Sequence, residues 1–147
     1  MILVGSACVA LLVLTTLVHY EALRAITALL PRLRVPARTK LILVIVGAFV
    51  AHSAEIALYA LAIYALVRWF GAGSLGSAPA PSLEVSMYFS AETYTSLGYG
   101  DVVPQGPLRV LAGVEALNGL LLIGWSASHT YLAMERFWGN GPGPAVK

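Results

Sequence analysis

Cysteine is nearly absent from this sequence. Cys8 stands alone among 147 residues, which excludes an internal disulfide and any cysteine-only metal cluster. Charge is scarce as well: Asp, Glu, Lys and Arg make up 11% of the chain against 59% hydrophobic residues, a balance that excludes an ordinary soluble domain. No ladder of arginines runs through an apolar stretch, so a voltage-sensing helix is not expected. Repeated HxxH or HxxxH clusters, the mark of intramembrane metal enzymes, are missing. The first apolar run also lacks a basic leader and a small-residue cleavage site, so it reads as a true helix rather than a secretory signal.

Apolar length is what the chain has. Crossing a hydrocarbon core of about 30 Å takes about 20 helical residues. Residues 1–18, extending to 30, residues 41–67 and residues 108–134 all meet that requirement. Arg109, Glu115 and Asn118 interrupt the third run, and polar residues within a membrane are expected to face a bundle interior or water. Cations are distributed unevenly. Arg24, Arg32, Arg34, Arg38 and Lys40 crowd between the first two runs and Arg136 and Lys147 follow the third, leaving Arg68 and Arg109 on the other side. The positive-inside rule then predicts a multi-pass protein of the cell membrane, with the first linker and C-terminus cytoplasmic and the N-terminus outside. The linker's cations suit anionic lipid headgroups, although a topogenic role is the plainer reading. No nucleic-acid partner is expected.

Punctuation divides the rest. Pro31 and Pro36 close the first helix and its linker, residues 1–40 in all. A second helix spans residues 41–70, and a turret rich in Gly, Ser and Pro fills 71–82. Ser82 can cap a short amphipathic helix over 83–95, with Glu84 in its first turn where the helix dipole favours an anion. Residues 96–100 follow as an irregular ribbon, and a third long helix spans 107–138, with Pro107 in its first turn. The tail 139–147, GNGPGPAVK, is too short and too rich in Gly and Pro to fold, so no appended ligand-binding domain is expected.

The ribbon lies in the stretch Thr95-Ser96-Leu97-Gly98-Tyr99-Gly100-Asp101. A dehydrated cation needs a sheath of oxygens, and a backbone offers successive carbonyls to one side only if alternate residues leave the ordinary β and α regions. Glycine does so at little steric cost. Gly98 and Gly100 are therefore expected to be left-handed, with Leu97 and Tyr99 turned outward. The stretch resembles the selectivity filter of the potassium channel superfamily, usually TVGYG, and the resemblance to that two-helix pore module covers residues 41–138. Ser96 departs from the usual Thr, and Leu97 from Val or Ile.

The resemblance implies an all-α membrane protein with three transmembrane helices, a re-entrant pore helix and a filter loop, the pore being formed by a homotetramer. It implies passive K+ transport with no enzymatic chemistry. The ion would be held by Ser96, Leu97, Gly98, Tyr99 and Gly100, with Thr95 as support. Glu92 would pair with Asp101 behind the filter, often sharing a proton, because two such close carboxylates do not both ionise cheaply. Asn118 and Gly119 fall roughly 17 Å down the third helix at 1.5 Å per residue, near the cavity below the filter. Gly119 is the candidate hinge and Gly124 the second choice, while close helix packing is the preferred reading of Gly113 and Gly124. Asn118 either lines the cavity or makes an interhelical hydrogen bond.

Two histidines fall outside that scheme. A hairpin turning between residues 30 and 41 sets His19 opposite His52, and Glu55 shares a face with His52 at i and i+3. Glu21 and His129 are possible neighbours. The donor types suit a divalent-metal or proton site that modulates the pore; the plainer expectation is a neutral hydrogen-bonded pair fastening the first helix to the second. Rival functions are a weakly selective cation channel, or a metal-dependent membrane enzyme or carrier built on His19, His52 and Glu55.

Overall fold

A computed structural model describes residues 1–76 and 81–138. The centre of the expected turret and the tail 139–147 lie outside the described residues. Helices α1 (Ile2–Leu29), α2 (Ala37–Phe70) and α4 (Leu108–Trp138) are 28, 34 and 31 residues long. At 1.5 Å per residue each exceeds the ~30 Å hydrocarbon core, and all three are apolar enough to cross it.

The boundaries follow local chemistry. Pro31 tightens the end of α1 into a 3-10 turn, Leu30–Arg32. α2 begins at Ala37 rather than residue 41: the Pro36 carbonyl accepts from the Thr39 and Lys40 amides, so Arg38 and Lys40 belong to the helix rather than the linker. Hydropathy alone misplaced this edge, because charge does not stop a helix. α2 ends at the left-handed Gly71, where the Ala72 amide donates back to Leu66 O at 3.0 Å. Within the expected turret, strand β1 (Ser74–Leu75) pairs antiparallel with β2 (Pro104–Gln105) and buries Leu75. The short helix α3 (Leu83–Tyr94) is capped by Ser82, whose Oγ accepts from the Val85 amide at 3.2 Å, and carries Glu84 in its first turn.

α1 packs on α2 and α4, and α3 packs on α2 and α4. The buried face of α1 runs Val4, Cys8, Leu11, Thr15, His19, Leu23, at i+3 and i+4 steps. The matching stripe on α4 runs Leu108, Leu111, Glu115, Asn118, Leu122, Ser126. An apolar core of Val4, Cys8, Tyr59, Ile63, Leu75, Phe89, Leu108 and Leu111 continues along these stripes into polar residues. Large side chains on the opposite faces, such as Phe49, Val50 and Leu120, are more than half exposed in the single chain. So much outward apolar surface suits lipid or further chains, not water.

Candidate functional site

Helix α3 stops at Tyr94, and the next residues fold back on its last turn. The Glu92 carbonyl accepts from the Leu97 amide at 2.9 Å and the Gly98 amide at 3.3 Å, while the Ser96 amide donates to Thr93 O at 3.0 Å. Beyond this anchor the backbone alternates: Ser96, Gly98 and Gly100 have φ of 58°, 55° and 81°. Both glycines match the expectation. Ser96 does not, and as a non-glycine in the left-handed region it carries strain of about 1–2 kcal/mol. Strain held beside a binding surface is a recurrent feature of functional sites. Residues 95–101 are all exposed in the single chain, Tyr99 at 70% and Leu97 at 58%.

Two carboxylates brace the ribbon, though not as a pair. Glu92 Oε2 accepts from the Tyr99 amide at 3.1 Å. Asp101 Oδ2 accepts from the Tyr88 hydroxyl at 3.0 Å, and its Oδ1 from the Val102 amide at 3.0 Å. The expected Glu92–Asp101 hydrogen bond is absent among the described contacts. Tyr88 lies one turn before Glu92 on α3 and its longer side chain takes Asp101 instead. Thr95 Oγ1 turns back to Ala91 O at 2.8 Å, a helix-end bond rather than one to the ribbon.

Asn118 is buried, its side-chain amide donating to Thr15 Oγ1 at 2.7 Å and Tyr59 OH at 3.1 Å. It therefore ties α4 to α1 and α2, the interhelical hydrogen bond that was one of its two expected roles. Gly119 is a packing glycine: a Cβ there would stand 2.1 Å from Tyr94 O. Gly113 and Gly124, where packing was expected, have nothing within 4 Å of such a Cβ. Glu115 is fully buried, with Oε1 on the Ser90 hydroxyl and Oε2 without a hydrogen-bond partner among the described residues. Ser90 Oγ also lies 2.9 Å from the Ile56 carbonyl oxygen. One hydroxyl hydrogen cannot serve both oxygens, so a proton on Glu115 completes the set. Glu115→Gln should accordingly keep the thermal midpoint of the wild type within a few degrees, whereas Glu115→Ala, which leaves a cavity and an unpaired Ser90, should lower it clearly; equal midpoints for all three would contradict this count.

His19, His52 and Glu55 do come together. His19 Nδ1 lies 2.9 Å from Glu55 Oε1, and His52 Nδ1 lies 3.1 Å from Glu55 Oε2. Sequence reading missed two further members. Tyr94, at the end of α3, donates its hydroxyl to Glu55 Oε2 and stands 2.9 Å from His52 Nδ1. Ser126 Oγ lies 3.0 Å from His52 Nε2 and 3.3 Å from His19 Nε2. The available signal was that Ser126 continues the α4 stripe begun by Glu115 and Asn118. The proposed neighbours fall elsewhere: His129 Nε2 meets Thr27 Oγ1 at 2.9 Å, and Glu21 forms an exposed pair with Arg24. The cluster thus joins α1, α2 and α4 at the residue directly preceding Thr95 and the ribbon.

Comparison with known proteins finds the profile of a family described as ion channel over residues 39–136, about two thirds of the chain. That span takes in α2, α3, the ribbon and most of α4, and leaves α1 outside. Protein LctB of Geobacillus stearothermophilus is 33% identical over 98 residues, a match covering 50% of this chain and 73% of LctB. No solved structure matches.

Proposed function

Since the chain belongs to the ion channel family, we propose that it is a potassium-selective channel, conducting passively through a homotetrameric pore lined by residues 96–100. The observation that carries this reading is the alternation of left-handed backbone at Ser96, Gly98 and Gly100 immediately after a capped pore helix. In that conformation successive carbonyls of Ser96, Leu97, Gly98 and Tyr99 replace the hydration shell of K+, and the Ser96 hydroxyl closes the innermost site. The exposed Leu97 and Tyr99 are covered by neighbouring subunits. The negative end of the α3 dipole favours a cation beneath the filter.

The basic linker and the C-terminus face the cytoplasm, where anionic lipids meet Arg32, Arg34 and Arg38, and the N-terminus lies outside. No enzymatic step is involved, and His19, His52 and Glu55 modulate the pore rather than catalyse. Potassium titration of the purified protein tests the reading. K+ binds and Na+ competes weakly, while Ser96→Thr, which restores a methyl beside the innermost site, tightens K+ binding there. Equal affinity for K+ and Na+ would favour a weakly selective cation channel, and equal K+ affinity in the two proteins would remove the assigned role of Ser96.

A further inference from the structure

We propose that His19, His52 and Glu55 bind a divalent metal ion of the zinc type, clamping α1 to α2 against the last residue of the pore helix. The three side chains each offer a ligand atom, and these atoms all lie within 4.8 Å of one another. His19 and Glu55 are fully buried, and His52 is partly so. Zinc takes such nitrogen and oxygen donors at about 2.0–2.2 Å, which puts tetrahedral neighbours roughly 3.3 Å apart. The observed contacts of 2.9 Å and 3.1 Å, each to a different oxygen of Glu55, are within a few tenths of that spacing, while the full ligand set reaches up to 4.8 Å and would have to draw in around an ion. Tyr94 OH, 2.9 Å from His52 Nδ1 and bonded to Glu55, is a further oxygen beside the set.

The hydrogen count supplies the second argument. With Glu55 ionised and both histidines neutral, both Nδ1 atoms donate to Glu55, so both Nε2 atoms are bare and must share the single hydrogen of Ser126. One lone pair then faces another inside a buried site, and that is costly. A metal on the Nδ1 side reverses the arrangement. Both Nε2 groups carry hydrogen, and the two lone pairs of Ser126 Oγ accept both. Metal-bound histidines are ordinarily held in this way by an oxygen on the far ring nitrogen. An additional proton, on Glu55 or on one imidazole, is the competing resolution, and it is the outcome the test separates.

Occupancy would act on the pore through Tyr94. Its hydroxyl contacts Glu55 and His52, its carbonyl is packed on Gly119, and Thr95 follows directly. The metal would therefore fix the base of the filter relative to three long helices. Only this effect on conduction rests on the channel reading; the binding does not.

The test strips the full-length protein in detergent with a chelator, equilibrates it with zinc chloride, desalts it and measures retained metal by mass spectrometry. The wild type should keep about one zinc per chain, and its thermal midpoint should rise with zinc. His19→Gln and His52→Gln should lose both effects. Ser126→Ala keeps every ligand and should weaken binding about 10–100-fold through the lost outer contact, so it remains informative even if a histidine variant fails to fold. His129→Gln should bind as the wild type does. Wild-type protein that retains no more zinc than the double His19, His52 variant, or zinc binding that survives His52→Gln and falls with His129→Gln, would overturn the site. Metal content is read without flux, so a chain that binds zinc but passes no potassium sinks the conduction reading alone.

Discussion

Alanine at position 98 is expected to abolish the proposed potassium flux while leaving the protein folded. Gly98 holds φ at 55°, and a Cβ added there meets nothing within 4 Å of the chain. The penalty is therefore carried by the backbone and not by a clash within the subunit. An L-residue in the left-handed region costs roughly 1–2 kcal/mol, so in the proposed homotetramer four copies sum to roughly 4–8 kcal/mol. Because about 1.4 kcal/mol is tenfold in population, the conducting backbone would become rarer by a factor on the order of a thousand or more. Each Gly98→Ala subunit would escape by turning its peptide, which in the proposed pore takes an oxygen out of the ion's path. In proteoliposomes the flux should fall to that of empty vesicles, with the helical circular dichroism and the melting curve close to those of the wild type. Undiminished flux in a folded Gly98→Ala protein would separate conduction from residues 96–100.

Gly119→Ala is the second large effect, and it acts on the fold. The added Cβ would lie 2.1 Å from Tyr94 O, 2.9 Å from Tyr94 C and 3.0 Å from its Cγ. Two of these atoms belong to the backbone at the end of α3, which cannot swing aside as a side chain does. Overpacking of this kind costs about 1–3 kcal/mol. Here it also displaces the hydroxyl that meets Glu55 and His52. A melting midpoint several degrees lower is expected, with flux lost at temperatures where the protein remains folded. Gly113→Ala and Gly124→Ala, open on all sides in the chain, should change neither quantity by much. A Gly119→Ala protein with wild-type stability but altered opening would restore the hinge reading that the packing displaces.

Much of this was legible in the sequence because it depends on composition and length. Three spans, a capped short helix and a glycine-punctuated ribbon each follow from a local requirement: apolar length, a Ser82 cap, and left-handed backbone where only glycine is cheap. The pairing of His19 with His52 and Glu55 was equally accessible, since a hairpin fixes relative depth and i, i+3 spacing fixes the face. Rotation of a helix about its own axis was not accessible. Whether Asn118 faces a cavity or Thr15, and whether Gly119 is free or wedged against Tyr94, depends on how α4 meets α1 and α3. Hydropathy says little when nearly every face of a span is apolar. The same holds for Tyr94 and Ser126, which enter the cluster from elements whose approach no spacing rule specified. Ser96 was missed for another reason: a left-handed serine is maintained by its neighbours, here the Glu92 and Thr93 carbonyls that hold the turn, and not by its own preference.

The most direct measurement is cation flux into liposomes containing the purified protein, run in parallel with a potassium gradient and with a sodium gradient and repeated with barium. Rapid potassium flux, sodium flux near that of empty vesicles, and block of the potassium signal by barium are the results expected of a carbonyl-lined pore. Equal rates for the two ions, or a potassium signal indifferent to barium, would contradict it.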